Sequence, residues 1–463
     1  MGKGAIVRQW TASLAGSLCV SMSGAMFVWM APLMVRFTSE DSPIPMTTTD
    51  TSWLSAVIEI SEGLATIPAG LLADRWGRKP VLLASGPLLL ISWIIVMFTR
   101  SVIALYFVRL IQGLIMAIAF VVAPVYLAEI AEPKLRGQFC GNFQVFWYIG
   151  LLWAYITGPY LEYQTYIYVC CIPAILFLIS YSMIPESPYY LLMIKKEDKA
   201  RKALSWLRAG EDIDKEFAEI KESVDEDMKN KGRWKDLFAT KKDRRAFIIV
   251  QIVCVIKFLS GMSSIVLYAT QTFASSSQLS ITSDEMTIIL AVILIVTTLG
   301  ALFLADHVGR RPLLIISTVG ATVFHIIVAI YFYLDKKTEI DVSSYMWIAY
   351  TSLLGFCIIT NVGLGPLSMT IQAEYFPSNT RAKGGGLTGV ICSIFIFLAV
   401  RQYQAVDDYC GVYMNYVIFA VISLVGAIVC TAVISETAGQ SLGQIQKSFT
   451  AATIKAEENN INV

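Results

Sequence analysis

Two stretches of sequence decide how this chain is built: LLADRWGRKPVLL at residues 71–83 and FLADHVGRRPLLI at residues 303–315. Each follows an apolar run and carries Asp, Gly, Arg and Pro at the same spacing, so that Asp74 matches Asp306 and Gly77 matches Gly309. Glycine permits a tight reversal of the backbone, and the basic residues beside it favour a position at the membrane surface. The repeat therefore indicates two related halves, each with a short turn between two apolar segments.

Two further repeats support this division into halves. The spacing of Glu129 and Arg136 recurs in Glu374 and Arg381, and the tripeptide PES at 185–187 returns later as SET. Three landmarks in the same order predict two homologous six-helix bundles related by an axis along the membrane normal. That architecture is typical of transporters, which expose a central site to each side of the membrane in turn.

The composition agrees with a membrane protein. Of 463 residues, 56% are hydrophobic and only 15% are charged, which is well below the usual quarter of a soluble domain. Because about 20 apolar residues cross a bilayer as a helix, the sequence predicts an all-α protein with twelve transmembrane helices. Their approximate cores are 11–36, 53–73, 81–99, 102–128, 140–160, 165–184, 247–273, 286–305, 313–333, 344–373, 385–403 and 411–434.

Several functional classes are disfavoured by the same data. A formal net charge of +1 gives no basic field for nucleic acid, so we expect the lipid bilayer and a small-molecule substrate as partners. Two histidines, and cysteines lying mostly in apolar runs, provide no metal-ligand spacing. We therefore expect no metal, no cofactor and no enzymatic activity.

The distribution of charge predicts the domains and the topology. Residues 1–185 form the first bundle, 186–245 a charged amphipathic helical linker, 246–434 the second bundle and 435–463 a tail. Basic residues concentrate in alternate short loops, which the positive-inside rule places in the cytoplasm together with both termini. We expect a multi-pass protein of the plasma membrane whose amino-terminal segment is retained, because it lacks the small-residue cleavage site of a signal peptide.

Acidic residues recur beside these basic loops, although acids contribute little to topology. Topology alone would explain the Arg and Lys residues but not the matched acids. We therefore expect one carboxylate and guanidinium network in each half that changes with the transport state. Its members are Asp74, Arg78, Glu129 and Arg136 in the first half and Asp306, Arg310, Glu374 and Arg381 in the second.

The chain resembles the sugar porter family of the major facilitator superfamily over nearly its whole length. The motifs that carry the resemblance are GLLADRWGRK, RLIQG, PVYLAEIAEPKLRG, PESPYYL, ADHVGRRP, GLGPLSMTIQAEYFP and SETAGQSL, in the order of the family. The loop SPIPMTTTDTSWL at 42–54 is similar to that of insect facilitated trehalose transporters. The resemblance implies an alternating-access carrier for trehalose or a hexose. Because the first span contains no acidic residue, facilitated diffusion is preferred over proton coupling.

The resemblance also implies where the substrate binds. Gln144 corresponds to a sugar-binding glutamine of the family, whereas span seven reads KFLSGMS at 257–263 in place of the usual amide-rich sequence. The expected substrate-binding residues are Gln144, Lys257, Ser260, Ser263, Tyr268, Asn361 and Met369.

Three charged residues lie at depth within the spans. Lys257 is placed near the middle of span seven, and Glu59 and Glu62 lie about two turns inside span two. In one interpretation Lys257 pairs with one of these glutamates or lines a water-filled cavity. In the other, its long side chain reaches water at the membrane surface and the glutamates face water. Two alternatives to a sugar carrier stay open: a carrier of the same fold for a non-sugar or anionic solute bound by Lys257, and a sensor or scaffold without transport that signals through the linker.

Overall fold

The computed structural model describes residues 2–39, 42, 44–132, 134–210, 212–230, 232–274, 281–377 and 379–436, with the backbone alone at 136, 140 and 302–307. All regular secondary structure in this part of the chain is helical. The first half contains α1 Lys3–Val28, α2 Met34–Phe37, α3 Thr48–Trp76, α4 Arg78–Phe98, α5 Val102–Ile130, α6 Arg136–Tyr160 and α7 Tyr163–Ser182. The linker contains α8 Pro188–Met193, α9 Glu197–Leu207 and α10 Asp214–Lys229.

The second half repeats the pattern with two of its spans interrupted. Its helices are α11 Lys241–Leu259, α12 Met262–Ala274, α13 Ser283–Val308, α14 Arg310–Lys337, α15 Met346–Val362, α16 Leu364–Tyr375, α17 Arg381–Cys410 and α18 Val412–Val433. The pair α11 and α12 forms one span, and the pair α15 and α16 forms another. Short 3-10 turns lie at Ala31–Leu33, Trp234–Phe238 and Ser343–Tyr345.

Twelve spans follow from these helices, as the hydropathy pattern predicts. Eleven described segments are long and apolar enough to cross a membrane, and the 25 residues of α6 supply the remaining one. Large apolar side chains such as Leu64, Phe98 and Ile428 remain exposed along the spans. In a soluble protein such a surface would promote aggregation, whereas here it matches the hydrocarbon of a bilayer. The chain is a multi-pass membrane protein.

Local sequence signals fix where several helices begin. Thr47 and Asp50 form a capping box at the start of α3, in which the Thr47 hydroxyl accepts from the Asp50 amide at 3.1 Å. Thr240 and Asp243 form an equivalent box at the start of α11. Each box satisfies backbone N–H groups that a helix terminus otherwise leaves unpaired.

The helices are organised into two compact units. One unit comprises the residues up to Asn230 with short parts of α12 and α13, and the other comprises Lys231–Val266 and most of the chain from Val296 onward. In the first unit α1 is the most buried span, and a Cβ at Gly150 would lie 1.9 Å from the carbonyl oxygen of Ser21. Only glycine therefore allows α6 to approach α1 this closely.

The linker helices belong to the first unit. An apolar cluster joins α8, α9 and α10, and its buried members are Leu191, Leu192, Ala200, Ala203, Leu204, Ile213, Phe217 and Val224. The remaining faces of α9 and α10 carry charged residues, as the amphipathic pattern predicts. The expected separate linker at 186–245 thus includes helices that fold together with the first bundle.

Candidate functional site

The repeated turn of the first half is a positive-φ glycine covered by a distant carboxylate. Gly77 has φ 109°, which favours glycine, and α4 begins at the next residue. The Glu186 carboxylate accepts from the Lys79 amide at 3.1 and 3.2 Å and from the Ser187 amide at 2.8 Å. A carboxylate at this position satisfies an unpaired N–H and complements the positive end of the helix dipole. Burial raises the pKa of the Glu186 carboxyl.

Arg78, directly after this turn, is buried at the centre of an ion-pair cluster. Its Nε and Nη2 donate to Glu129 at 3.1 to 3.2 Å, and its Nη1 donates to the carbonyl of Ala73 at 3.0 Å. Asp74 is 3.1 Å from the same guanidinium. The structure thus brings together three of the four residues expected in the first network. The fourth, Arg136, has no described side chain.

The second half builds the same turn from matching residues. Gly309 has φ 97°, and the Glu436 carboxylate accepts from the Arg310 amide at 3.0 Å and from the Arg311 amide at 3.1 Å. Arg310 Nε lies 3.5 Å from Glu374 Oε1, a longer separation than that of Arg78 and Glu129. The backbone cap is therefore reproduced closely, whereas the ion pair is looser.

Two expected members of the second network have different surroundings. Arg381 donates to the carbonyl of Phe376 at 3.5 Å, at the start of its own helix. The side chain of Asp306 lies outside the described residues.

Glu186 and Glu436 were not selected as site residues from sequence, although both lie in the PES and SET repeat. The signal that would have found them is that repeat itself, because a glutamate at the same place in each half points to the same structural role. What the sequence could not show is that the end of one span lies against the turn that follows another.

A second cluster of charges attaches the linker to the first bundle. Arg208, which is 4% exposed, donates to Glu216 at 2.5 and 2.8 Å and lies 3.2 Å from Glu132. Gln9 on α1 donates to the same Glu132 carboxylate at 3.0 Å. Buried charges are costly unless paired, so these contacts hold α9 and α10 firmly against the bundle.

Gln144 lies half-buried on α6. Its side-chain amide forms no hydrogen bond within the described chain, whereas the nearby Asn142 donates to Ser13 at 3.4 Å. Polar groups inside membrane spans are normally paired with protein groups. Among the described residues, the Gln144 amide thus differs from that of Asn142 in having no hydrogen-bond partner.

The interrupted spans of the second half concentrate several of the other expected residues. Span seven breaks at Ser260 and Gly261, where the glycine has φ 97°. Span ten breaks at Gly363, between α15 and α16. Lys257, in the last turn of α11, donates to Gly365 O and to Ser368 Oγ, both at 3.2 Å, in the first turns of α16. Such unwound points are where transporters commonly place binding groups.

The remaining expected residues differ in their exposure. Ser260 is buried and donates to the carbonyl of Lys257 at 2.8 Å, and Asn361 is buried and donates to Thr297 and Thr298. Tyr268 is fully buried and belongs to the first unit. The side chains of Ser263 and Met369 are half-buried and exposed, respectively.

Glu59 and Glu62 lie buried on α3, close to a basic residue that the sequence reasoning overlooked. This residue is Arg109 on α5, which is fully buried and faces Glu59. Its guanidinium donates to the carbonyls of Leu54 and Met26 at 2.8 and 2.9 Å. Arg109 could have been found as an arginine inside the apolar RLIQG segment. The sequence left open whether Lys257 pairs with Glu59 or Glu62. No such ion pair is among the contacts of the described residues.

Comparisons with known proteins place the chain in a family. The family model described as sugar (and other) transporter matches residues 10–449. Facilitated trehalose transporter Tret1 of Bombyx mori is 26% identical over 452 residues, covering 96% of this chain and 88% of that protein. Sugar transporter ERD6-like 2 of Arabidopsis thaliana is 28% identical, covering 94% and 92%. The chain spans 56% of the length of the Tret1 of Anopheles gambiae, to which it is 26% identical.

Solved structures show the same fold. The major facilitator superfamily proton:xylose symporter XylE, bound to 6-bromo-6-deoxy-D-glucose, aligns with a TM-score of 0.77 at 20% identity over 96% of this chain and 99% of that one. The inward-open structure of XylE from E. coli also aligns with a TM-score of 0.77. The twelve spans thus adopt the major facilitator fold of two six-helix bundles. With a family model that matches almost its entire length, the chain belongs to the sugar (and other) transporter family.

Proposed function

We propose that this protein is an alternating-access carrier that moves trehalose or a hexose down its gradient across the plasma membrane, with both termini in the cytoplasm. The observation that carries the proposal is the duplicated turn, in which Gly77 with Glu186 and Gly309 with Glu436 form the same capped corner in each half. Two equivalent bundles can rock about a central site, and this motion is how such carriers expose their substrate to each side.

The charge network beside each turn supplies contacts that can break and re-form as the bundles move. Arg78 lies 3.1 Å from the Glu129 carboxylate, whereas Arg310 lies 3.5 Å from the Glu374 carboxylate. Ion pairs that differ between states can shift a conformational equilibrium by their difference in free energy. We assign Asp74, Glu129, Arg136, Asp306, Glu374 and Arg381 to the same role.

The sugar assignment rests on the relatives, whose names describe trehalose and sugar transport, and on Gln144. An unpaired amide in a span can exchange hydrogen bonds with sugar hydroxyls. We propose that Gln144 contacts the substrate, together with Lys257, Ser260, Ser263, Tyr268, Asn361 and Met369.

Uptake into proteoliposomes tests the proposal. The purified chain is assayed with labelled glucose and labelled trehalose, with and without a pH gradient. We expect at least one sugar to equilibrate without accumulating, at a rate independent of the gradient. Accumulation against a gradient would replace facilitated diffusion with proton coupling through Glu59 or Glu62, and no entry of either sugar would reject the sugar assignment.

A substitution of Gln144 tests the site. Gln144→Ala removes one or two hydrogen bonds to the sugar, each worth about 0.5–1.5 kcal/mol, so KM should rise roughly 2- to 10-fold or more. Gln138→Ala, at an exposed position of the same helix, is the matched control and should leave KM unchanged. Equal KM values for the two variants would exclude Gln144 from the site.

A further inference from the structure

Lys257 lies where the two interrupted spans of the second half meet. It occupies the last turn of α11, just before the break at Ser260 and Gly261, and its ammonium reaches the first turns of α16. Helix breaks at this depth are tolerated only where the backbone is buried in protein or lines a cavity. The lysine therefore sits at the point of the second unit where the membrane helices are least continuous.

The charge of Lys257 is not neutralised by its partners. Gly365 O and Ser368 Oγ are neutral acceptors, and the ammonium also lies 5.1 Å from the centre of the Phe258 ring. The titratable side chains that face it, Cys254 on α11 and Cys392 on α17, are thiols. Within the described part of the chain, no carboxylate forms an ion pair with it.

Hydrogen bonds to neutral groups stabilise the half-buried ammonium of Lys257 without supplying a counter-charge. Its position in the last turn of α11 is favourable, because helix carbonyls stabilise a cation there, but dipoles do not cancel a unit charge. Charged groups at such depth are costly, and those that occur mark the path of a substrate or an ion. The contacts to α16 leave one of the three N–H donors of Lys257 available.

The surroundings of Lys257 define the kind of anion that fits. The polar side chains recorded beside this break, Ser260 and Ser368, are uncharged hydroxyls, so among these neighbours the ammonium is the charge that a ligand has to balance. His325 is a second basic side chain in contact with this break, and it is fully buried with its Nε2 3.0 Å from the carbonyl oxygen of Ser260. One ammonium among hydroxyls balances one carboxylate, whereas a phosphate ester would bring a second, uncompensated negative charge.

We propose that the preferred substrate is a sugar bearing a single carboxylate, and that Lys257 binds this carboxylate directly. The proposal rests on the carrier function proposed above and places a sugar acid ahead of the neutral sugars named there as the preferred substrate. When a carboxylate is bound, it neutralises the charge of the Lys257 ammonium. A neutral sugar leaves the ammonium without a counter-charge and should therefore bind more weakly.

Binding to the purified full-length chain in detergent tests the proposal with three probes that share one ring: D-glucose, D-glucuronate and D-glucose 6-phosphate. We expect D-glucuronate to bind roughly 10- to 100-fold more tightly than D-glucose, the difference supplied by a charged hydrogen bond, and more tightly than the phosphate ester. Tighter binding of D-glucose, or of the phosphate ester, by the unmodified protein would overturn it.

Variants identify the residue responsible. Lys257→Gln should lose the preference for D-glucuronate and Lys257→Arg should keep most of it. Lys336→Gln, which removes an exposed lysine at the end of α14, should behave as the unmodified protein. Retained binding of D-glucose shows that Lys257→Gln is folded, and an unaltered preference for D-glucuronate in that variant would contradict the assignment. If Lys257→Gln does not fold, the comparison of probes on the unmodified protein decides alone.

Transport of the same probes separates this inference from the proposed function. Binding of D-glucuronate without entry of either sugar into vesicles would support the inference and reject the carrier. Entry of D-glucose without binding or entry of D-glucuronate would do the reverse. When D-glucuronate enters, an inside-positive potential set by potassium and valinomycin should accelerate its uptake, because each complete cycle moves one net negative charge inward. The same potential should not accelerate uptake of D-glucose. Equal effects on the two rates would count against the inference.

Discussion

Replacing Gly77 by alanine should destabilise the protein more than an ordinary glycine substitution. Its φ of 109° is unfavourable for any residue with a Cβ, at a cost of about 1–2 kcal/mol. In addition, a Cβ at this position would lie 2.3 Å from Glu186 Oε2. Atoms cannot remain at that distance, so the carboxylate must leave the position in which it caps α4.

The size of the second effect follows from the bonds that Glu186 makes. It accepts from the Lys79 amide at 3.1 Å and from the Ser187 amide at 2.8 Å. A hydrogen bond to a charged group contributes about 1.5–3 kcal/mol, so loss of the bond to the Lys79 amide together with the strained backbone should cost about 2.5–5 kcal/mol. Gly309→Ala should cost less, because its Cβ would lie 2.9 Å from Glu436 Oε2 and a small shift relieves the contact.

Gly210 is a matched control for the backbone contribution. Its φ is 80°, but a Cβ there would meet no atom within 4 Å. Gly210→Ala should therefore cost only about 1–2 kcal/mol. The free energy of unfolding is measured by titrating SDS into mixed micelles and following tryptophan fluorescence. The expected order of destabilisation is Gly77→Ala, then Gly309→Ala, then Gly210→Ala.

Equal destabilisation at Gly77 and Gly210 would refute the reasoning, since only the backbone contribution would then be present. Combination with Glu186→Ala provides a second check. If the clash acts through this carboxylate, the alanine at position 77 should cost only about 1–2 kcal/mol once the carboxylate has been removed.

Three other changes test the charge clusters. Arg208→Ala should cost about 1–3 kcal/mol by leaving two half-buried acids unpaired, and it should expose the linker helices to limited proteolysis. Arg201→Ala, from an exposed ion pair, should cost less than about 1 kcal/mol. Equal protease sensitivity of the two variants would contradict the assignment. Glu129→Gln should lower the free energy of unfolding more than Glu374→Gln, because the ion pair of Arg78 and Glu129 is shorter and more buried than that of Arg310 and Glu374. The reverse order of destabilisation would contradict this assignment. Burial raises the pKa of Glu186, so the folded protein binds this proton more tightly than the unfolded chain does. The resulting contribution to the free energy of unfolding should be lost as the pH rises from the ordinary carboxyl pKa of about 4.3 through the raised value. Glu186→Gln should remove this pH dependence of the free energy of unfolding.

The two halves and their turns could be predicted from sequence because the signals are local. The stretch at 71–83 contains both the glycine that reverses the chain and the arginine that forms the ion pair. The match between Glu129 and Glu374 then indicated the acids, and the structure places each beside its arginine at 3.1 and 3.5 Å. Because each motif occurs in both halves, a residue in one half indicated the role of its counterpart in the other.

The surroundings of Lys257 could not be predicted, because they depend on where two spans break. Hydropathy averages over a whole span and does not respond to a single change of backbone direction at Gly261 or Gly363. Without those breaks, the reach of Lys257 to the start of α16 has no sequence signal. Arg109 was overlooked for a related reason, because most of its hydrogen-bond acceptors are backbone carbonyls of α1 and α3, which do not depend on residue type, although Gln112 of its own helix also accepts from it.

Comparison of the two turns separates the parts of the corner that hold the fold from the parts that can change. The carboxylate cap is nearly identical in both halves, with acceptor distances of 3.0 to 3.2 Å from Glu186 and Glu436 to the backbone amides. The ion pair beside it differs, since Arg78 makes several contacts of 3.1 to 3.2 Å to Glu129 whereas Arg310 Nε lies 3.5 Å from Glu374 Oε1. A feature that two diverged copies both retain is required by the corner itself. The ion pair varies between copies that share one backbone, so we infer that it is the element whose strength can respond to the state of the carrier.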